Sequence, residues 1–299
     1  MYAVMGATGN VGKKIVDILI NKGEEVRMIA PNADQLRPFV SKNAQAFAGD
    51  AQDSEFLTKA FEGCEAVFTM IPTNLQAANY LAYANKMSES IVNAVKGAKV
   101  NYVVNLSSIG AELAQGAGPL TGLHNLEEGL NRIKGVNVVH LRTGPFMEHL
   151  LTSIDTIKSK GVCSSAYRGD IKFPIIATRD VAHVAADRLV NCDFSGSSIH
   201  YLLGQRDISM IECTGIIGRK INKPELPYVM FSYDEAAKWF TSRGMSSDVS
   251  RLYTELCKAC NEGRIYGAVT RTPENTTPTS FEQFCDEVFV PAYREVKAA

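Results

Sequence analysis

Met5-Gly6-Ala7-Thr8-Gly9-Asn10-Val11-Gly12 decides how the chain is read. The stretch follows a short apolar run, Tyr2–Met5. It opens a segment in which Val11, Ile15, Ile18 and Leu19 recur at i, i+4, i+7 and i+8, one face of a helix. Glycines spaced G-x-x-G-x-x-G between a strand and a helix each have a physical reason. The first permits a tight turn, the second lets backbone approach a pyrophosphate, and the third lets the helix pack closely on the strand. Free N–H groups at the helix N-terminus then face the phosphates, with the helix dipole in support. In this context the spacing predicts dinucleotide binding, with Gly6, Thr8, Gly9, Asn10 and Val11 in contact with the cofactor.

Working outward, further strand-like runs occur at 25–30, 44–48, 66–71, 102–107 and 136–141, several of them apolar throughout, as strands buried on both faces should be. Helical patterns lie between them, at 53–62, 76–96 and 120–133. Strand–helix alternation at this spacing predicts a doubly wound parallel α/β sheet of Rossmann type. After about residue 150 the rhythm changes to helical patterns at 178–190, 209–221, 233–243 and 248–262, with short strands at 199–203 and 228–231 and a last helix from about Ser280. The expected organisation is a nucleotide-binding core over 1–150 and a smaller, mainly helical substrate lobe over 151–299, interleaved with the last core strand.

Composition narrows the function. Lys and Arg total 31 against 32 Asp and Glu, a net charge of -1, which lacks the electrostatic footprint of a non-specific nucleic-acid binder. No apolar run reaches the roughly 20 residues of a membrane span, and residues 2–12 do not read as a signal peptide. Seven cysteines, an odd and scattered set, suggest free thiols in a reducing cytoplasm. Cys257 and Cys260 form a C-x-x-C inside a helical pattern with no second pair at zinc spacing, so neither a metal site nor a redox motif is expected.

Open α/β sheets bind ligands at the carboxyl ends of their strands. Strand two ends Val26-Arg27-Met28-Ile29-Ala30-Pro31-Asn32, without the acid that would hold ribose hydroxyls. Arg27 is the nearest base, and Asn32 could hydrogen-bond either NAD or NADP. Asp50 reads equally as an adenine contact or a helix cap. Ile71 and Pro72 line the cofactor after strand four. One of Ser107 and Ser108, at the end of strand five, faces the nicotinamide ribose or the substrate. Pro145 adjoins the nicotinamide, and Phe146, Met147 and His149 are candidate pocket walls.

With these motifs assembled, the sequence resembles the NmrA-like family of atypical short-chain dehydrogenase/reductases. The resemblance rests on the Gly6–Gly12 turn, Val26-Arg27, Gly49-Asp50, Asn105-Leu106-Ser107-Ser108, Leu141-Arg142 and Pro145-Phe146-Met147-Glu148, with Ala177–Ala182, and covers essentially the whole chain. It implies an extended Rossmann fold, NAD or NADP, and either reduction of quinones or dyes or non-catalytic redox sensing through a protein partner. Two departures matter. NADP-preferring members tend to carry Arg where this chain has Pro31 and often Lys near Gln35, although Arg37 lies close by. The broader superfamily's Tyr-x-x-x-Lys is also missing. His124 and Glu128 stand in its place, i, i+4 on one helix face.

A glutamate cannot replace that lysine, because its charge has the wrong sign for depressing a neighbouring acid's pKa. A carboxylate beside His124 would orient the imidazole instead. The dye reductases of the family resemble this chain in having His-x-x-x-Glu here, and hydride transfer to a quinone or dye needs little protonation by the enzyme. His124, Glu128 and Ser108 are the expected catalytic group. A small apolar acceptor is the expected partner. Nucleotide-sugar epimerase or dehydratase chemistry ranks low, since it needs the missing pair.

Overall fold

The computed structural model describes residues 1–267 and 269–295. Strands β1 (Tyr2–Met5), β2 (Val26–Ala30), β3 (Ala44–Ala48), β4 (Ala66–Thr69), β5 (Tyr102–Ser108) and β6 (Asn137–Thr143) alternate with helices α1 (Gly12–Asn21), α2 (Ala33–Leu36), α3 (Ser54–Phe61), α4 (Tyr80–Gly97) and α5 (Leu120–Asn131). Beyond them come α6 (Ile154–Lys160), β7 (Cys163–Ser165), β8 (Lys172–Phe173), α7 (Thr178–Asn191) and β9 (Ser197–Leu202). The main sheet has seven strands in the order β3-β2-β1-β4-β5-β6-β9, every pairing parallel. The doubly wound sheet read from the sequence is therefore the fold. β9, from the second half of the chain, forms its outer edge beside β6.

Each face buries its own apolar layer. Ile15, Val16 and Leu19 of α1 and Val181, Ala185 and Leu189 of α7 cover one face, where Val4, Met28 and Val104 point. Leu57 and Phe61 of α3, Ile91 and Val95 of α4 and Leu126 and Leu130 of α5 cover the other, against Ala3, Val67 and Val103. Alternate strand residues serve opposite layers, which is why β1 is apolar end to end and every residue of β4 is buried.

The remaining chain builds a lobe from β10 (Ile208–Ser209), α8 (Met210–Lys220), β11 (Tyr228–Met230), α9 (Tyr233–Ser242), α10 (Ser247–Asn261), α11 (Phe281–Phe284) and α12 (Val290–Glu295), with a π-helical turn over Cys285–Phe289. Besides the expected helices it holds two small sheets, β7 paired with β11 and β8 with β10. The lobe docks at the carboxyl end of β4. There Asp248 accepts the Tyr80 amide at 2.9 Å and the Ser246 hydroxyl donates to the Ala77 carbonyl. The same contact corrects a boundary. The helix expected from Gln76 starts at Tyr80, because Asn79 caps it by accepting the Ala82 amide and Asp248 takes the Tyr80 N–H.

A polar chain crosses the buried sheet. The Thr69 hydroxyl donates to Asn105 Oδ1 at 3.0 Å, and Asn105 Nδ2 donates to His140 Nδ1 at 3.1 Å. His140 Nε2 therefore carries the ring proton and donates to Asn131 Oδ1 at 2.8 Å. Burial lowers the His140 pKa, and the paired nitrogens fit a neutral ring. An unfolded histidine titrates near ~6.5. As pH falls through that value the unfolded chain takes up a proton that folded His140 refuses, so stability declines until the folded pKa is reached. The unfolding free energy from urea titrations should fall between pH 7.5 and 5.5 for the native chain, by at most about 1.4 kcal/mol per pH unit from this group. The slope should be shallower in His140→Gln; equal slopes would refute the assignment.

Candidate nucleotide and acceptor site

The glycine turn sits between β1 and α1. Gly6 has φ +64°, the left-handed region that glycine tolerates, and its carbonyl accepts the Gly9 amide at 2.8 Å. A Cβ on Gly12 would lie 2.2 Å from the Gly6 carbonyl oxygen, so only glycine allows α1 to start this close to the turn. Val11, the helix N-cap, offers no side-chain cap, and the first turn of α1 has no acidic residue. Among the described residues, the amides of Thr8, Asn10 and Val11 donate to no protein acceptor. A cradle that a Cβ would fill, with unpartnered donors at a ten-residue helix start, suits a pyrophosphate.

Around the rest of this edge the sequence-predicted residues divide. Asn32 accepts the Asp34 amide and caps α2, and Asp34 pairs with Arg37, both exposed. Asp50 is exposed and accepts the Gln52 amide at 2.9 Å. It lies near Tyr83, whose hydroxyl donates to the Pro72 carbonyl at 2.8 Å and is pushed up to about 12 by burial and then by the Asp50 charge. Ile71 is buried beside it. Arg27 does not join this group. Its Nη1 donates to the carbonyls of Ala60 and Glu62 at the end of α3, with the guanidinium over the Phe47 ring.

At the ends of β5 and β6, Ser108 is half-buried and its hydroxyl donates to the Ile109 carbonyl. Ser107 is buried and donates to Glu127. Glu127 also receives Arg142 at two points, Nε at 3.1 Å and Nη2 at 2.6 Å. Arg142 Nη1 reaches Glu112 at 3.1 Å and the Tyr201 hydroxyl at 3.3 Å, and Glu112 accepts the Gly110 amide. Burial opposes the Arg142 charge, but the hydrogen bonds and charge of Glu127 outweigh it and hold the pKa above its ordinary value. Sequence reasoning missed Glu127. The available signal was Arg142 itself, a charge in the strand Val-Val-His-Leu-Arg-Thr that demands a buried partner.

The expected pairing of His124 with Glu128 does not form. Glu128 is exposed and bonds Arg132 one turn on, at 3.1 Å. His124 instead sets Nδ1 2.9 Å from the Ala111 carbonyl. A carbonyl can only accept, so Nδ1 carries the proton and Nε2 is left to exchange one. In the segment after β6, where pocket walls were expected, Phe146 and His149 lie with ring centroids 5.4 Å apart. His149 is exposed. Met147, expected as a third wall, is buried in the lobe core with Ile154, Phe173 and Ile175. Pro145 O accepts the Ile176 amide, tying this segment to the start of α7. Cys257 and Cys260 are buried free thiols, and burial pushes Cys257 up to about 12, which disfavours the reactive thiolate. Among the described residues no helix is long and apolar enough to cross a membrane.

Residues 6–142 match the family model for NAD(P)H-binding domains. The fold is similar to an NADPH-dependent quinone oxidoreductase of Escherichia coli, crystallised with NADPH, at TM-score 0.79 and 20% identity over 97% of this chain and 100% of that one. It is similar to triphenylmethane reductase of Citrobacter sp. in complex with NADP(H), at TM-score 0.77 and 16% identity over 96% and 100%. NmrA, a negative transcriptional regulator in complex with NADP, aligns at TM-score 0.71 and 14% identity over 98% and 96%. Among curated sequences, an oxidoreductase of a Cryptosporiopsis species is 33% identical over 79 residues, 24% of this chain and 33% of that protein. The chain spans about a third of the length of the first curated relatives it matches.

Proposed function

We propose that this chain, whose residues 6–142 match the family model for NAD(P)H-binding domains and whose fold is similar to that of NmrA, is an oxidoreductase that passes hydride from a reduced nicotinamide to a small, flat, apolar acceptor of the quinone or dye class. The observation that carries the nucleotide half is the Gly6–Gly12 cradle, with free amides at Thr8, Asn10 and Val11 above an uncapped helix start. Those amides would hold the pyrophosphate. Ile71, Pro72, Pro145 and the Asn32–Asp50 rim would flank the rest of the cofactor. The bound nicotinamide supplies the hydride.

The chain's own residues do the remaining work. The paired rings of Phe146 and exposed His149 would offer an aromatic wall on which a flat acceptor can lie. His124, fixed through Nδ1 to the Ala111 carbonyl, keeps Nε2 free as an acceptor that can take part in a proton transfer. A delocalised acceptor anion needs little more, which suits a site without Tyr-x-x-x-Lys. Ser107 is committed to Glu127 and acts in positioning, while Ser108 is the hydroxyl nearer the open edge.

The test is a fluorescence titration with NADPH and NADH, followed by quinone reduction with the tighter cofactor. Binding of neither would end the reading. His124→Gln should leave cofactor affinity unchanged and lower quinone turnover by roughly 10-fold or more, the lower range for positioned proton transfer. Unchanged turnover would remove His124 from the chemistry. The missing Tyr-x-x-x-Lys specifically favours a second reading, a cofactor sensor acting through a protein partner, which predicts binding without turnover on any acceptor.

A further inference from the structure

We propose that Lys14, Thr178 and Glu148 form a strut that fixes the acceptor-side segment 144–149 to the pyrophosphate turn, so that cofactor and acceptor affinity depend on one shared set of contacts. This rests on the reductase reading above.

Lys14 stands on the first turn of α1. Its Nζ bends back, donating to the Asn10 carbonyl at 2.8 Å and to the Thr178 hydroxyl at 3.0 Å. Thr178 is fully buried, and its hydroxyl donates to Glu148. Its amide donates to both carboxylate oxygens of Glu148, at 3.1 and 3.2 Å. An ammonium only donates and a carboxylate only accepts, so the hydroxyl between them can point one way. Every link is directional and charge-assisted at one end, which makes such bonds about twice as strong as neutral ones.

The far end of the strut is stiff as well. Met147 N donates to Ile176 O at 2.9 Å and Ile176 N to Pro145 O at 2.9 Å, so the Pro145–Glu148 backbone and the start of α7 move together. Gly144 packs against the Pro174 carbonyl with no room for a Cβ. Phe146 and His149 flank the anchored Glu148, and Asn10 belongs to the turn. Displacing Glu148 therefore shifts the acceptor wall and removes the charge that, through the Thr178 hydroxyl, helps hold Lys14 Nζ beside the Asn10 carbonyl. Charge works in the same direction. Burial lowers the Lys14 pKa while Glu148 opposes that. A pyrophosphate at the turn adds negative charge near this half-buried ammonium and favours the charged form the strut needs.

The test uses the full chain, NADP affinity by titration and menadione as the acceptor. Lys14→Met and Glu148→Gln should each weaken NADP roughly 10-fold, the loss of one charge-assisted bond. The double variant should be no weaker than the weaker single, since both cut the same chain. At saturating NADPH both singles should raise the menadione KM several-fold with kcat nearly unchanged, and Lys14→Arg should recover most of the loss. Singles whose effects multiply in the double variant would overturn the strut. So would Glu148→Gln with wild-type NADP affinity. If Glu148→Gln does not fold, Thr178→Val cuts the same link and is held to the same criterion. A native chain that binds NADP but never reduces menadione fails the reductase reading, and the strut is then judged on NADP affinity alone.

Discussion

Gly12→Ala is expected to abolish measurable NADP(H) binding and to lower stability as well. The new methyl group would lie 2.2 Å from the Gly6 carbonyl oxygen and 2.7 Å from its carbon, both backbone atoms that cannot rotate aside. Either α1 moves away from β1 or the turn opens. Both displace the Thr8, Asn10 and Val11 amides relative to one another. Overpacking of this kind costs about 1–3 kcal/mol of stability. Losing alignment of two charge-assisted contacts costs about 3 kcal/mol or more of binding, beyond 100-fold in affinity. Gly9→Ala is the informative contrast. Its Cβ would sit 3.2 Å from the same oxygen, a gap that a small adjustment relieves, so the variant should melt near the native temperature while still binding more weakly. Full-strength NADPH binding by Gly12→Ala would refute the placement of the pyrophosphate.

That turn was legible because each of its requirements is local. Glycine spacing, the apolar run before it and the amphipathic run after it all lie within Tyr2–Leu19, and backbone sterics bind the three together. Strand order followed from alternation, since parallel strands with right-handed crossovers leave few arrangements. Partners contributed from far along the chain were hidden. The i, i+4 spacing puts His124 and Glu128 on one face, but Arg132, another four residues on, captures the glutamate where both are solvated. His124 turns to a loop carbonyl 13 residues earlier, which no periodicity announces. Arg27 could be read as a cofactor contact because a basic residue near the end of strand two has that use in other sheets. Here the nearer demand, the unpaired carbonyls ending α3, takes it. Met147 differs from Phe146 only in direction, and alternation along an irregular segment sends it into the lobe core.

Replacing Glu127 should be the most destabilising single charge change. Glu127→Ala leaves Arg142, with its side chain 8% exposed, facing only Glu112 and a tyrosine hydroxyl, and leaves the Ser107 hydroxyl without its acceptor. Breaking a buried pair from one side costs about 3–5 kcal/mol, and at about 2 °C per kcal/mol for a chain this large the melting temperature should fall by roughly 6–10 °C. The cost is the stranded charge rather than a large net gain from the pair, and that distinction can be measured. In Glu127→Leu with Arg142→Met, apolar groups of similar length replace both partners, so the double variant should be more stable than Glu127→Ala and recover much of the loss. The Ser107–Glu127–Arg142–Glu112 chain also joins the end of β5 to the Gly110–Glu112 loop, whose Ala111 carbonyl holds His124. Quinone turnover in the double variant should therefore fall even where stability returns, because the loop that sets the imidazole has lost its anchor. A double variant with native stability and native turnover would show that the buried pair neither orders this edge nor supports His124, leaving the helix and loop to be held by packing alone.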